Sequence, residues 1–530
     1  MDITTCTIFA IFVLIIFILC GIFYNYFVKQ NESTLLTLVV FILSLSTTFT
    51  LVLFIPIDIY LVSNGNLEIS NLEISQKLIS RFYNSMFWTL IFEAYILVPF
   101  SYFYLKNKKS YKNEFDDNLE VCENVFESLK KTIYFIFFLV AVSIIGLIYR
   151  PGHKIPMEKG KELDYISDLF DVKHTGESAI LFLMGCVVFI GVSFWVSYTS
   201  YGLACLPIEL LKQKNIEYDK KEIEYRFENL KEKEAMIKKK YNTLNEIKDD
   251  DRDEILKINN MKRLLSKYNY KLQEIEKISE SWVSYIIGIA LTFRILTGLI
   301  FLTFSSIIFV SLLASITDKY FNSICAYKCG FVLDQINTLY NIVDSSLIFF
   351  SKYFPLDILV LASLALYIFC CSVYGIINVG IRIFFIPLYK LKPKKTSPET
   401  MLVFSFVLIH IILVLIMSLL TIAPNYVTYG IQNIKIDDEI GYIKCSLKTD
   451  KHICKMSVLS RFFNKIFFGI PYFANSYFFS NWFFILMYTL SLLYTICFKK
   501  SSYLDRLNDP NLSSENLDEK MNLLPMEKLT

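Results

Sequence analysis

The sequence predicts an all-α fold: a polytopic helical membrane protein with about nine transmembrane helices and a cytosolic helical hairpin between spans five and six. Three observations carry this. Hydrophobic residues make up 54% and aromatic residues 16% of the chain, with 47 Phe and 34 Tyr, whereas soluble domains hold about 45–50% apolar residues even with glycine counted. The apolar residues gather in long runs almost free of charge, and a run of about 20 crosses a bilayer as a helix because its backbone must bond internally there. One block, 207–281, breaks the pattern with 18 Lys or Arg and 17 Asp or Glu.

The predicted spans are 5–28, 34–55, 87–105, 132–149, 178–206, 283–314, 355–380, 401–421 and 480–498. The first reads as a retained span: MDITT carries no basic side chain, and the run is longer than a cleavable leader's core. The second is the weakest because it holds many Ser and Thr. Positive charge sets orientation. Lys106, Lys108, Lys109, Lys112, Lys130 and Lys131 lie between spans three and four. Arg382, Lys390, Lys392, Lys394 and Lys395 follow span seven, and Lys499, Lys500, Arg506, Lys520 and Lys528 follow span nine. All three groups are cytosolic if the N-terminus is lumenal and the C-terminus cytosolic; the five basic residues of 150–178 oppose this mildly. The organisation is then spans one to five (1–206), the hairpin (207–281), spans six to nine with a lumenal loop at 422–479 (282–498), and a cytosolic tail (499–530).

The hairpin rests on apolar spacing. Ile223, Phe227, Leu230, Ile237, Tyr241 and Leu244, broken by Glu234, and then Met261, Leu265, Tyr268, Leu272 and Ile275 give the seam two helices need to pack. The acidic KDDDRDE between them reads as its tip. Cys445 and Cys454 share the lumenal loop and are the disulfide candidate, with Cys325 and Cys329 a weaker pair. The N-x-S sites at Asn31 and Asn511 fall on the cytosolic side and are expected to stay unmodified.

A net charge of +3 is too small to imply nucleic acid. There is no phosphate loop, HExxH or paired CxxC, and the four His are scattered, so an enzyme is the poorest class, and neither a metal site nor a covalently bound cofactor is expected. His410, alone in span eight, reads as a hydrogen-bonded packing residue. Ionisable residues inside spans are costly and are the functional candidates: Asp58, Glu93, Arg294, Asp357 and Arg382. Deep Glu93 and Arg294 either neutralise each other or line a polar cavity; Asp58 and Asp357 are expected near an interface. In SYTSYGLACLPIELLKQK, Ser197 to Lys214, Pro207 ends or kinks the fifth span and Gly202 admits a close neighbour. Pro207, Glu209 and Lys212 then form a junction, either structural or a partner-docking surface. In the tail, EKMNLLP with Glu519, Leu523 and Leu524 matches an acidic dileucine sorting signal that cytosolic sorting adaptors would read.

FIPIDIYLVS (54–63), YGLACLPIELLK (201–212), FPLDILV (354–360), GIINVGIRIFFIPLYKLKPKKTSP (375–398), IAPNYVTYGIQN (422–433) and NKIFFGIPYFANSYFFSNWFF (464–484) together, in order and spacing, resemble the LIMR (limb-region and lipocalin-receptor) membrane protein family. The resemblance runs from span one to span nine. It implies nine spans, a lumenal N-terminus and a cytosolic helical block after span five. It also implies a lysosomal membrane protein that partners an ABC half-transporter, with cobalamin as cargo. Two other readings stay open: an endocytic receptor or adaptor of the lipocalin-receptor type, and an autonomous secondary transporter built on Glu93 and Arg294. Besides membrane lipid, a second copy of the chain is a further partner to test.

Overall fold

The computed structural model describes residues 3–29, 32–63, 69–111, 117–148, 175–212, 216–239, 255–259, 261–263, 265–266, 283–322, 339–353, 355–383, 386–391, 394, 396–435, 442–445, 454–469 and 471–497. The helices in chain order are α1 (Ile3–Phe27), α2 (Leu35–Ser63), α3 (Ile69–Phe92), α4 (Val98–Tyr111), α5 (Asp117–Ile148), α6 (Thr175–Phe194), α7 (Ser200–Leu211), α8 (Ile216–Lys239), α9 (Val283–Asn322), α10 (Ile342–Phe350), α11 (Leu356–Val379), α12 (Pro398–Ile422), α13 (Pro424–Tyr429), α14 (Val458–Gly469) and α15 (Pro471–Cys497). One π-helical turn, Glu93–Leu97, joins α3 to α4, and another, Trp195–Thr199, joins α6 to α7. Two small antiparallel hairpins complete it: β1 (Ile381–Ile383) with β2 (Ile386–Tyr389), and β3 (Asn433–Lys435) with β4 (Tyr442–Lys444). The chain is a multi-pass helical membrane protein: among the described residues seven helical stretches are long and apolar enough to cross a bilayer. The other two predicted spans fall on α1 and α5.

The chain forms two compact units, residues 1–204 with 303–492, and 205–302 with 493–530. In the first, α12 is the central element. It starts where the sequence signals a start: Ser397 is its N-cap, accepting from the Thr400 N–H, and Pro398 opens the first turn. Its side chains are apolar all round, and almost all of them are buried against α2, α4, α6 and α11. The lipid-facing surface lies on other helices, with Leu19 and Ile22 of α1 and Phe137 and Phe138 of α5 exposed.

Close approach of backbones is what lets these helices pack. A Cβ on Gly202 would stand 1.8 Å from the Cys371 carbonyl oxygen, and one on Gly375 would stand 2.0 Å from that of Tyr198. The predicted neighbour of Gly202 is therefore α11, and the crossing is fastened by a 2.8 Å hydrogen bond between the Thr199 and Ser372 hydroxyls. A Cβ on Gly191 would likewise stand 2.2 Å from the His410 carbonyl oxygen of α12.

Several expectations are corrected. The Ser/Thr-rich second span is not weak: α2 runs on to Ser63, since Ser44, Ser46, Thr48 and Thr50 each donate to a carbonyl of their own helix and need no water. Asp58 is consequently inside a helix and fully buried. Pro207 does not end the fifth span, which continues to Leu211. Proline removes the hydrogen bond to the carbonyl four residues earlier, here Leu203, and the Ser305 hydroxyl of α9 supplies a replacement at 2.8 Å. Span nine begins at Pro471 rather than 480. Arg382 stands outside the helix, exposed in β1, with its Nε donating to the Val379 carbonyl.

In the second unit, α8 and short helical turns at 255–259 and 261–263 carry the charged block. Ile223 and Leu265 of the predicted seam are buried, as is Ile258, while Phe227 and Met261 are exposed. Glu234, read as a break, pairs with Lys262, whose ammonium lies 5.9 Å from the Phe227 ring centroid. Tyr241, Leu244, Tyr268, Leu272, Ile275, Cys325, Cys329, Asn31, Asn511, Glu519, Leu523 and Leu524 lie outside the described residues.

Replacing Gly375 by Val should destabilise the purified protein by at least about 1–3 kcal/mol through overpacking. Ser363→Val on the exposed side of the same helix should be close to neutral. Thermal unfolding in detergent, followed by size-exclusion fluorescence, distinguishes the two.

Candidate functional site

Three buried aspartates meet the segment 422–460 at one end of the bundle. Asp58 of α2 accepts from the N–H groups of Leu459, at 3.0 Å, and Val458, at 3.4 Å, the first residues of α14. The first turn of a helix has N–H groups without intrahelical partners and a partial positive charge, so a carboxylate there is stabilising. Ser457 caps the same helix: its hydroxyl accepts from the Ser460 N–H at 3.2 Å and donates to the Val427 carbonyl at 2.9 Å.

Asp344 performs the same task for α13. Its Oδ1 accepts from the Tyr426 N–H at 2.8 Å, and its Oδ2 accepts from the Asn425 N–H at 3.2 Å and side-chain amide at 2.6 Å. Asn341, the N-cap of α10, fixes Asp344 by accepting its N–H at 3.1 Å, and donates to the Ile422 carbonyl at 2.8 Å and the Ser315 hydroxyl at 2.9 Å. Asp357, in the first turn of α11, accepts from the Tyr426 hydroxyl at 2.7 Å through Oδ2; its Oδ1 has no partner among the described residues. Burial, together with the Asp357 carboxylate beside it, pushes the Tyr426 phenol well up, so it remains a hydrogen-bond donor.

The segment is closed by covalent chemistry and a glycine. Cys445 and Cys454, the predicted pair, form a disulfide with Cα atoms 5.8 Å apart, packed on Tyr429 and Met456. Burial pushes the Tyr429 phenol up to about 12. Gly430 turns at φ +60°, and a Cβ there would stand 1.9 Å from the Ser63 hydroxyl, which accepts from the Ile431 N–H at 3.3 Å. The C-terminal turn of α2 is thereby joined to the segment twice, through Ser63 and through Asp58.

The remaining candidates are placed separately. Glu93 is buried in the first π turn, and its carboxylate accepts from the Thr47 hydroxyl at 2.7 Å. Arg294 of α9 donates to the carbonyls of Glu209, at 2.8 Å, and Lys212, at 3.4 Å, satisfying the free carbonyls at the end of α7. Each thus has a partner of its own: a hydroxyl for Glu93, and backbone carbonyls for Arg294. The Lys212 ammonium donates to the Thr495 carbonyl. Pro207, Glu209 and Lys212 therefore sit where Arg294 and α15's last turn close the end of α7. His410 is fully buried; its Nδ1 donates to the Phe406 carbonyl at 2.7 Å, its ring lies edge-on to Tyr95 and Phe194, and Nε2 has no partner among the described residues.

Asp344 was the residue sequence reasoning missed. A signal was present: Asn341 three residues before Asp344, ahead of the apolar LIFF run, is a helix-start pattern. The aspartates hold backbone and phenol donors, and no group of three metal-ligating side chains exists among the described residues. The arrangement anchors the segment to the ends of α2, α10 and α11.

A family model described as LMBR1-like membrane protein matches residues 5–281. The chain belongs to that family. A "Probable lysosomal cobalamin transporter" of Dictyostelium discoideum is 30% identical over 485 residues, covering 90% of this chain and 92% of the relative. The "Lysosomal cobalamin transport escort protein LMBD1" of Mus musculus is 26% identical over 533 residues, covering 96% of each chain. A "Probable lysosomal cobalamin transporter" of Nematostella vectensis is 26% identical, also over 96% of each. No solved structure gives a significant match. The LMBR1-like match ends at 281, whereas the likeness to these whole-length relatives takes in most of the chain.

In this LMBR1-like protein Asp344→Ala should leave buried donors of α13 unmatched, at about 1–3 kcal/mol each. Limited proteolysis should then cut within 424–469, while Asp344→Asn, which keeps acceptor capacity, should be cut more slowly. Removing the disulfide with Cys445→Ser should cost about 2–3 kcal/mol on a loop-closure basis, read as a lower midpoint of thermal unfolding.

Proposed function

We propose that this protein is a lysosomal membrane component of cobalamin export, acting as escort or subunit for a transporter of the ABC half-transporter class. The observation that carries the reading is the near full-length likeness to relatives named for lysosomal cobalamin transport and its escort. Two features favour escort over autonomous pump. The sequence holds no phosphate-binding loop, so ATP would have to be used by a partner. Asp58 and Asp344 are occupied as helix caps, and Asp357 accepts from the Tyr426 hydroxyl. In this reading the N-terminus is lumenal and the C-terminus cytosolic, as the lysine distribution favours. The disulfide-bearing segment then faces the oxidising compartment, and the 207–281 block and tail face the cytosol, where EKMNLLP would be read by sorting adaptors.

The test is a native pull-down of the tagged chain in mild detergent, paired with release of labelled cobalamin from lysosomes of cells lacking it. Near-stoichiometric recovery of an ABC half-transporter, with release restored by the wild-type chain, is expected. Recovery of the chain alone, or only with itself, would falsify the escort reading.

Glu93 supports a second reading as a secondary transporter. It is a buried carboxyl within a π turn, a helix irregularity frequent at functional sites. If it lies on a transport path, Glu93→Gln should abolish cobalamin release at unchanged protein level. If escort is the role, release should fall only as far as protein abundance does.

A further inference from the structure

We infer that the end of the bundle opposite the aspartates carries a docking patch for phosphorylated anionic lipid headgroups of the membrane in which the protein sits. The fold gathers basic side chains there from segments far apart in sequence. The Tyr102 and Tyr389 hydroxyls are 3.2 Å apart, which fastens α4 to β2. Exposed Lys106 and Lys108 follow Tyr102 by four and six residues, and exposed Lys390 follows Tyr389 directly. Arg382 is exposed in β1, paired across the hairpin with Pro387, two residues before Tyr389. Exposed Lys394 donates its N–H to the Tyr26 carbonyl at 3.0 Å, and Lys29 donates its N–H to the Thr396 carbonyl at 3.1 Å, so the end of α1 joins the same rim. Asn107 donates to the Ser128 hydroxyl at 3.1 Å and accepts from Lys131 at 2.7 Å, joining α5, which carries exposed Lys130, to α4.

Acidic side chains share this rim, among them exposed Glu123 of α5. Glu32 is paired with Lys29, Glu127 with Lys131, and Glu399 lies beside Tyr389. The rest of the surface suits a bilayer boundary: Leu388 is 44% exposed on the same hairpin, and Tyr102 and Tyr389 are amphipathic rings of the kind that sit at headgroup level. Insertion topology alone explains an excess of lysine on one side of a membrane. It does not require that α1, α4, α5 and the β1–β2 hairpin be tied together by hydrogen bonds so that their lysines and arginine converge. That convergence is what a multiply charged headgroup needs, since each basic side chain near an anionic membrane surface adds about fivefold in affinity.

The lipid class rests on the proposed orientation, because the cytosolic leaflet is the one rich in anionic lipid; the patch itself does not. Purified full-length protein would be reconstituted with phosphatidylcholine plus a small fraction of phosphatidylinositol phosphate, and retained lipid read by native mass spectrometry. Lys106→Gln with Arg382→Gln, one residue from α4 and one from β1, should lower retention of the phosphorylated lipid about twenty-fivefold at fivefold per side chain. The charge-matched control Lys77→Gln with Arg81→Gln, exposed residues of α3, should leave retention unchanged. Unchanged retention in the first pair, or equal loss in both, overturns the proposal, as does binding of soluble inositol phosphate without retention of the lipid. Sidedness is read separately, by labelling Lys108→Cys in sealed vesicles. A lumenal result there would sink the proposed orientation, while the retention measurement would still decide the patch.

Discussion

The structure at one end depends on carboxylates that meet helix N-termini out of reach of water. Asp58 and Asp344 each accept two backbone N–H groups at the start of a helix, and each is almost wholly buried. A buried charge is costly unless it is paired and hydrogen-bonded, and an unmatched helix N-terminus is costly for the same reason. Put together, each cancels the other's penalty, and the result fixes a direction as well as a distance. Residues 58 and 459 are thus held together by a physical requirement that neither segment can meet alone. The disulfide and the Gly430 turn close the segment, and the aspartates decide where it sits.

Much of the architecture was legible because a bilayer leaves few choices. Length and hydropathy alone located the apolar helices, although several begin well before the predicted span: α5 starts at Asp117 against 132, and α15 at Pro471 against 480. The same physics made the Ser/Thr content of α2 misleading: hydroxyls that look polar on paper return to their own helix carbonyls and become harmless. Pro207 misled in the opposite direction. Proline removes a hydrogen bond, but the sequence does not show that Ser305, about a hundred residues on, supplies another to the freed carbonyl.

The ionisable residues show where such reading stops. Asp58, Glu93, Arg294 and Asp357 stood out because they are ionisable residues within or beside apolar runs. Their partners did not, because a backbone N–H, a threonine hydroxyl and a helix-end carbonyl leave no charge signature for sequence reasoning to match. The sequence offers Glu93 and Arg294 a mutual pair or a shared polar cavity, and neither alternative names the threonine hydroxyl or the helix-end carbonyls that they meet. Asp344 was overlooked because it lies just outside a span, where acidic residues are ordinary.

The burial of α12 on every side bears on how the protein is made. A helix with no lipid-facing surface can complete its packing only once its surroundings exist. Here α2, α4, α6 and α11 are all synthesised before it. They enter the membrane with a shared face that has no occupant until roughly four-fifths of the chain has emerged. Assembly is therefore a late closing of early helices around a latecomer. A chain cut short before Pro398 would leave those helices without their core, a form that quality control in the membrane would meet as an unfinished bundle.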